Sequence, residues 1–102
     1  MEISLDGLRV IITAGASGIG FRVAEKFIEN GAIVHVCDVN EQLLNECKLL
    51  LPGIGTSLCD VSDALQVERM FAEAIGHLGK LDVLINCAGI AGPTARIDDI
   101  LP

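Results

Sequence analysis

Residues 13–20 read Thr-Ala-Gly-Ala-Ser-Gly-Ile-Gly and separate two runs of different hydrophobic period. The run before them, residues 9–13, is apolar and β-branched, which predicts a buried strand. From Ile19 to Ile28 apolar residues recur at helical spacing with charged residues on the opposite face, which predicts an amphipathic helix. Glycines let the backbone turn sharply and approach a ligand closely, and a helix N-terminus favours an anion. A strand, a glycine-rich turn and a helix in this order are typical of a pyrophosphate site, the alternative being a plain turn.

The same alternation continues along the chain. Asn40 and Ser62 are the expected N-caps of two further helices, because their short polar side chains can accept from free backbone amides. Further strands are predicted at residues 33–37, 56–59 and 81–87. Regular alternation of strand and helix predicts a parallel sheet with right-handed crossovers. The predicted fold class is therefore α/β, a Rossmann-like sheet of the form β-α-β-α-β-α-β.

Asp38 stands at the predicted end of the second strand, 18 residues after Gly20. A dinucleotide site places a carboxylate there to hold the ribose hydroxyls. The same carboxylate would repel a 2′-phosphate, and neither the turn nor the residues just after Asp38 include Lys or Arg. The sequence therefore favours NAD over NADP. The alternative is a solvated aspartate that merely ends a strand.

Three blocks together resemble the short-chain dehydrogenase/reductase family. They are the turn at residues 13–20, Asp60-Val61 after the third strand, and Asn86-Cys-Ala-Gly89 after the fourth. The resemblance implies a strand order of 3-2-1-4. It also implies that residues 1–102 form a single, incomplete NAD(P)-binding Rossmann domain that lacks the C-terminal half of the family fold.

The resemblance further implies a cofactor-binding role for twelve residues. Those expected to line the phosphates and the nearby ribose are Gly15, Ser17, Gly18 and Ile19, with Gly20 allowing close packing of helix on strand. Those expected on the adenosine side are Asp38 at the ribose and Asp60 and Val61 at the adenine. Those expected near the nicotinamide-side ribose are Asn86, Ala88, Gly89 and Ile90, and Asn86 is also expected to tie down the sheet.

Two positions depart from the family pattern. Ala14 replaces the first glycine of the turn, and its methyl group would weaken binding if that position needs a positive φ. Cys87 replaces the second asparagine of the fourth-strand block, and a smaller residue should pack there without difficulty.

The chain has no tyrosine. Family members are more than twice as long, and their catalytic Ser and Tyr-x-x-x-Lys lie further along, where the Tyr passes a proton and the Lys lowers its pKa. The resemblance therefore implies a parent oxidoreductase that moves hydride between a nicotinamide and an alcohol or ketone substrate, while this chain alone is expected to be inactive. His35 and His77 are not expected to substitute for the missing groups.

Two alternatives to this function stay open. One is a short, non-catalytic dinucleotide-binding or interaction module, and the other is a truncated gene product without activity. In the implied strand order the fourth strand is an edge, and an unpaired apolar edge favours self-association.

Composition excludes several other classes. Seven basic against 14 acidic residues give a net charge of −7, and the three aromatics are all Phe, so nucleic acid is not an expected partner. No apolar run reaches the roughly 20 residues of a membrane span, and the N-terminus lacks signal-peptide features, which predicts a cytoplasmic protein. Four cysteines without a C-x-x-C pair predict buried, reduced thiols and no metal site. Cys37 and Cys59, each one residue before a strand-end Asp, are expected to be neighbours.

Overall fold

A computed structural model describes residues 4–16 and 18–87. The elements alternate as the sequence predicts. The strands are β1 (Arg9–Thr13), β2 (Ile33–Asp38), β3 (Gly55–Leu58) and β4 (Val83–Asn86), and the helices are α1 (Gly18–Glu29), α2 (Glu41–Leu50) and α3 (Ala64–Leu78).

The four strands form one parallel sheet in the order β3-β2-β1-β4. The predicted fold class and strand order are both confirmed. Thr13 lies opposite Cys37 on one side and Asn86 on the other. Because all strands run the same way, their carboxyl ends lie along one edge of the sheet, which we call the carboxyl edge.

The two faces of the sheet bury different helices. On one face, α1 and α2 cover alternate residues of β1 and β2, with Ala24 and Leu44 among the buried helical side chains. On the other face, α3 packs Met70, Ala74 and Leu78 over the remaining strand residues. Alternation along each strand therefore supplies both cores, as expected for a sheet covered on both sides. No helix in the described residues is long and apolar enough to cross a membrane.

The helix ends are set by local chemistry. Asn40 caps α2, its side chain accepting from the Leu43 amide at 3.0 Å, as predicted. The prediction that Ser62 caps α3 is wrong, because Asp63 holds that position and accepts from the amides of Leu65 and Gln66. Ser62 instead donates its hydroxyl to Asp60 Oδ1 at 2.7 Å.

Two strands differ in extent from the prediction. β3 begins at Gly55 and ends at Leu58, because its ladder with β2 runs from His35 to Asp38. β4 is shorter than residues 81–87, because its ladder with β1 runs only from Val10 to Thr13, which pairs residues 83–86. Element ends depend on where the neighbouring strand stops, which no local pattern contains.

All four cysteines are buried and free, as expected. Cys37 and Cys59 are neighbours in the core beneath α3, as predicted. Burial, followed by the nearby Cys59, raises the pKa of the Cys37 thiol to about 12. These thiols therefore behave as small apolar groups of the α3-side core.

Candidate functional site

The glycine-rich turn crosses the carboxyl edge between β1 and α1. Ala14 has a φ of 53°, the left-handed region that L-residues other than Gly, Asn and Asp rarely enter. The position that carries the family's first glycine therefore has the positive φ under which the alanine methyl group is expected to weaken binding. The next residue, Gly15, donates its amide to the Cys37 carbonyl at 3.2 Å, so the turn folds back onto β2.

Three glycines of the turn differ in what surrounds the position of a Cβ atom. A Cβ on Gly15 would lie 2.6 Å from Val36 Cγ1, so this residue packs flat against β2. A Cβ on Gly20 would meet the Ala14 carbonyl oxygen and lie 2.8 Å from Gly15 Cα, so α1 starts in contact with the turn. Gly18 has a φ of 58°, and among the described residues no atom outside its chain neighbours and its own helix backbone lies within 4 Å of where its Cβ would be. Space for a ligand is therefore at Gly18, while Gly15 and Gly20 bring the backbones together.

The first turn of α1 faces this space. It contains no acidic residue, and Ile19 is 39% exposed. The amides of a helix N-terminus and its positive dipole end favour an anion when no carboxylate competes for them. The local electrostatics therefore suit a phosphate group.

Asp38 ends β2 beside the turn. Its Oδ2 accepts from the Ala16 amide at 3.3 Å, and its Oδ1 accepts from the Asn40 amide at 3.1 Å. Its own carbonyl accepts from the Cys59 amide at 2.9 Å. The carboxylate is thus held between the glycine-rich turn and the start of α2, with the end of β3 alongside.

Asp60 and Val61 follow β3 on the same edge. Asp60 Oδ1 accepts from both the amide and the hydroxyl of Ser62, at 2.9 and 2.7 Å, and these bonds lower the pKa of the Asp60 carboxyl. Its amide donates to Gln66 Oε1 at 2.9 Å. Val61 is 40% exposed. The loop therefore offers an apolar side chain to the edge while its aspartate is engaged within the loop.

Asn86 ends β4 and is tied to β1. Thr13 Oγ1 donates to Asn86 Oδ1 at 2.7 Å and accepts from the Cys87 amide at 3.0 Å. The Thr13 hydroxyl thereby links the ends of two strands, so Asn86 ties down the sheet as expected, with Thr13 as the partner that the sequence did not indicate. Cys87 is buried in the core between the sheet and α1 and α2, as its small size predicted.

The structure brings together most of the predicted site. The residues placed along the carboxyl edge are Gly15, Gly18, Ile19, Gly20, Asp38, Asp60, Val61 and Asn86. Those outside the described residues are Ser17, Ala88, Gly89 and Ile90.

A second polar cluster lies away from this edge, at the β3 side of the sheet. His35 Nδ1 and His77 Nδ1 are 3.2 Å apart, and His35 Nε2 is 2.8 Å from Ser57 Oγ. An open groove of about 580 Å³ reaches the pair. The alternation of side chains along β2 predicts which face of the sheet His35 lies on. Its contact with His77 became visible only with the packing of α3 on that face. Across the described residues, no three His, Cys, Asp or Glu side chains form a group able to hold a metal ion.

Comparison with known proteins gives a consistent result. A model of the short chain dehydrogenase family matches residues 9–100. A 3beta-hydroxysteroid dehydrogenase of Eggerthella lenta is 38% identical over 102 residues, covering 93% of this chain and 39% of that protein. A tropinone reductase homolog of Arabidopsis thaliana is 38% identical over 94 residues, covering 84% of this chain and 35% of that protein.

Two solved structures share the fold. A short chain dehydrogenase from Bacillus anthracis superposes with a TM-score of 0.77 at 34% identity, covering 83% of this chain and 36% of that one. A 3-ketoacyl-(acyl-carrier-protein) reductase from Brucella melitensis, complexed with NADH, superposes with a TM-score of 0.77 at 27% identity. The match covers 79% of this chain and 34% of that one. The chain thus spans between a third and two fifths of the length of these relatives.

Proposed function

The chain belongs to the short-chain dehydrogenase family, and from that premise we propose that it binds NAD(H) across the carboxyl edge of its sheet. It would be the N-terminal, cofactor-binding part of an oxidoreductase that exchanges hydride with an alcohol or ketone. The Brucella melitensis relative, complexed with NADH, supports the choice of cofactor class.

The turn fits a pyrophosphate. Backbone lines the space at Gly18, because Gly15 packs flat against β2. The first turn of α1 has no carboxylate that would compete with a phosphate for its amides. Amides at a helix N-terminus bind phosphate oxygens without any cationic side chain. The chain's own role here is to hold the pyrophosphate and fix the direction of the dinucleotide.

The observation that carries the proposal is the position of Asp38. Two backbone amides, from Ala16 and Asn40, hold its carboxylate at the end of β2, where an adenosine ribose would lie beside the turn. A carboxylate accepts bonds from both ribose hydroxyls but repels a 2′-phosphate. We therefore propose NAD(H) as the cofactor, with NADP(H) disfavoured.

The other end of the site orients the nicotinamide half. Asn86, fixed by the Thr13 hydroxyl, ends β4 at the carboxyl edge, where the nicotinamide-side ribose would lie. When bound, the nicotinamide supplies the group that accepts or donates hydride. A chain with no tyrosine lacks the family's proton donor, so we propose that the 102 residues alone turn over no substrate.

Calorimetric titration with NADH and NADPH tests the proposal. The wild-type chain should prefer NADH, and Asp38→Arg should weaken NADH binding by roughly 10- to 150-fold, the value of a charge-assisted hydrogen bond of about 1.5–3 kcal/mol. The same variant should gain affinity for NADPH. Glu46→Arg makes the same charge change on an exposed α2 residue and should alter neither affinity. Equal binding of both cofactors before and after the Asp38 change would refute the assigned role.

A second candidate is an interaction module, favoured by one feature. Among residues 4–16 and 18–87, β4 pairs with β1 alone, and Leu84 is 48% exposed. Exposed strand edges promote association. Size-exclusion chromatography of wild type and Leu84→Lys separates the cases: association abolished by the lysine supports the module, and a monomer at every concentration rejects it.

A further inference from the structure

The two histidines of the chain meet on the α3 side of the sheet. His35, in the middle of β2, is 3% exposed, whereas His77 lies on the exposed side of the last turn of α3. Their Nδ1 atoms are 3.2 Å apart, within hydrogen-bond distance, and the ring centroids are 5.3 Å apart. This contact joins the C-terminal end of α3 to the sheet near its β3 edge.

Gly55 makes room for the contact. A Cβ at this position would meet the Nδ1 atoms of both rings and would lie 2.7 Å from His77 Cε1. Gly55 is the first residue of β3 and lies opposite His35 in the ladder. The first residue of the edge strand therefore has to lack a side chain for the two rings to meet.

The bonds around the pair accommodate only one added proton. When one imidazole is neutral and carries no hydrogen at Nδ1, that nitrogen can accept a hydrogen bond from Nδ1–H of the other ring across the 3.2 Å gap. When both rings are cationic, each Nδ1 carries a hydrogen and two N–H groups face each other. The Ser57 hydroxyl at His35 Nε2 cannot relieve this, because it contacts the opposite side of the ring.

The groups that face His35 come from each element packed against it. Opposite it in β1 is Ile11, which carries no charge. From β3 come Gly55 and Ser57, and from α3 come Glu73 and His77. The groove beside them adds Glu41 and Lys48 of α2. Glu73 precedes His77 by four residues on α3 and acts on His35 in the opposite sense to His77.

We propose that His35 and His77 form an acid-released latch, which fastens the C-terminal half of α3 to the sheet while at least one ring is neutral and releases it when both are cationic. The latch acts on α3 alone and leaves α1, on the other face of the sheet, in place. It is independent of cofactor binding.

The titration of His35 agrees with the geometry. Burial first, and then the nearby His77, lower the pKa of His35 from 6.5 to about 4, while Glu73 raises it. Because His35 has a lower pKa when α3 is closed than when it is released, the released state takes up the proton first as pH falls. The closed state therefore becomes less stable relative to the released state. The opening constant of α3 should therefore grow by roughly tenfold per pH unit between pH 6.5 and 4, about 300-fold in all, and stay level above pH 6.5.

Two measurements on the 102-residue chain test the latch. Since there are only two histidines, a 1H–13C spectrum of the imidazole Cε1 groups follows both rings. Amide hydrogen exchange at residues 74–78, corrected for the intrinsic effect of pH, gives the opening constant of α3, and residues 20–29 of α1 serve as the internal control.

Variants of the two neighbouring residues should shift the titration midpoint of His35 in opposite directions. His77→Gln should raise this midpoint and flatten the pH dependence of α3 opening, and Glu73→Gln should lower it. Gly55→Ala should separate the rings and raise the His35 midpoint with both histidines present. The latch is overturned if α1 and α3 lose protection together, if α3 opening does not change between pH 6.5 and 4, or if His77→Gln leaves the His35 midpoint unmoved.

Discussion

Replacing Gly15 with alanine should destabilise the chain through one identifiable contact. The added Cβ would lie 2.6 Å from Val36 Cγ1 and 2.8 Å from Val36 Cβ, distances at which atoms must move apart. The backbone of Gly15 is not among those with positive φ, so the cost is steric rather than conformational. Overpacking of this kind typically costs about 1–3 kcal/mol.

A double-mutant cycle isolates that contact. Val36→Ala alone removes two buried carbon groups and should cost about 1.6 kcal/mol from transfer, with a further cost for the cavity. In the double variant the 2.6 Å contact with Cγ1 is removed, while the Cβ that alanine keeps at position 36 still lies 2.8 Å from the added methyl group, so the relief is partial. The two changes should therefore cost about 1 kcal/mol less together than the sum of their separate effects.

Urea unfolding followed by far-UV circular dichroism provides the assay, because the chain has no Trp or Tyr for fluorescence. Gly18→Ala is the matched control: beyond its chain neighbours and its own helix backbone, its Cβ would meet no atom of the described residues within 4 Å, so the expected cost is the strain of a positive φ, about 1–2 kcal/mol. It should show no coupling to Val36→Ala. Additive effects of Gly15→Ala and Val36→Ala would refute the reasoning, since they would mean that the turn does not rest on β2.

Two further predictions concern α3. Asp63→Ala should lower the free energy of unfolding by about 0.5–2 kcal/mol because two helix amides lose their acceptor, whereas Ser62→Ala, one residue earlier, should cost less; equal losses would contradict the assignment of the cap. Gly76→Ala, in the interior of α3, places a Cβ that would meet no described atom within 4 Å beyond its own helix backbone, and it should raise the melting temperature by several degrees from a gain of up to about 1 kcal/mol. A fall in melting temperature would show that Gly76 serves a contact not visible in the chain by itself.

Some features of the site could be predicted from a continuous segment of sequence, whereas others depend on contacts between distant segments. The glycine-rich turn is a continuous segment, so its place between β1 and α1 follows from a change of hydrophobic period at Ile19. Asp38 is found by spacing, because a helix and a strand of ordinary length separate it from the turn. The contacts that hold its carboxylate, to the Ala16 and Asn40 amides, require the folded turn and became visible only with it.

By itself, the sequence determined the alternation of strands and helices, the fold class, the glycine-rich turn and Asp38, while the family resemblance supplied Asp60, Val61 and Asn86. The alternation and the turn depend on period, caps and glycines within stretches of a few residues, where physical causes are local. The tertiary structure alone decided that Thr13 joins Asn86, that Gly55 makes room for His35 and His77, and where β3 and β4 end. Each of these pairs residues that are 20 or more positions apart, or depends on where a neighbouring strand stops, so only packing in three dimensions fixes it.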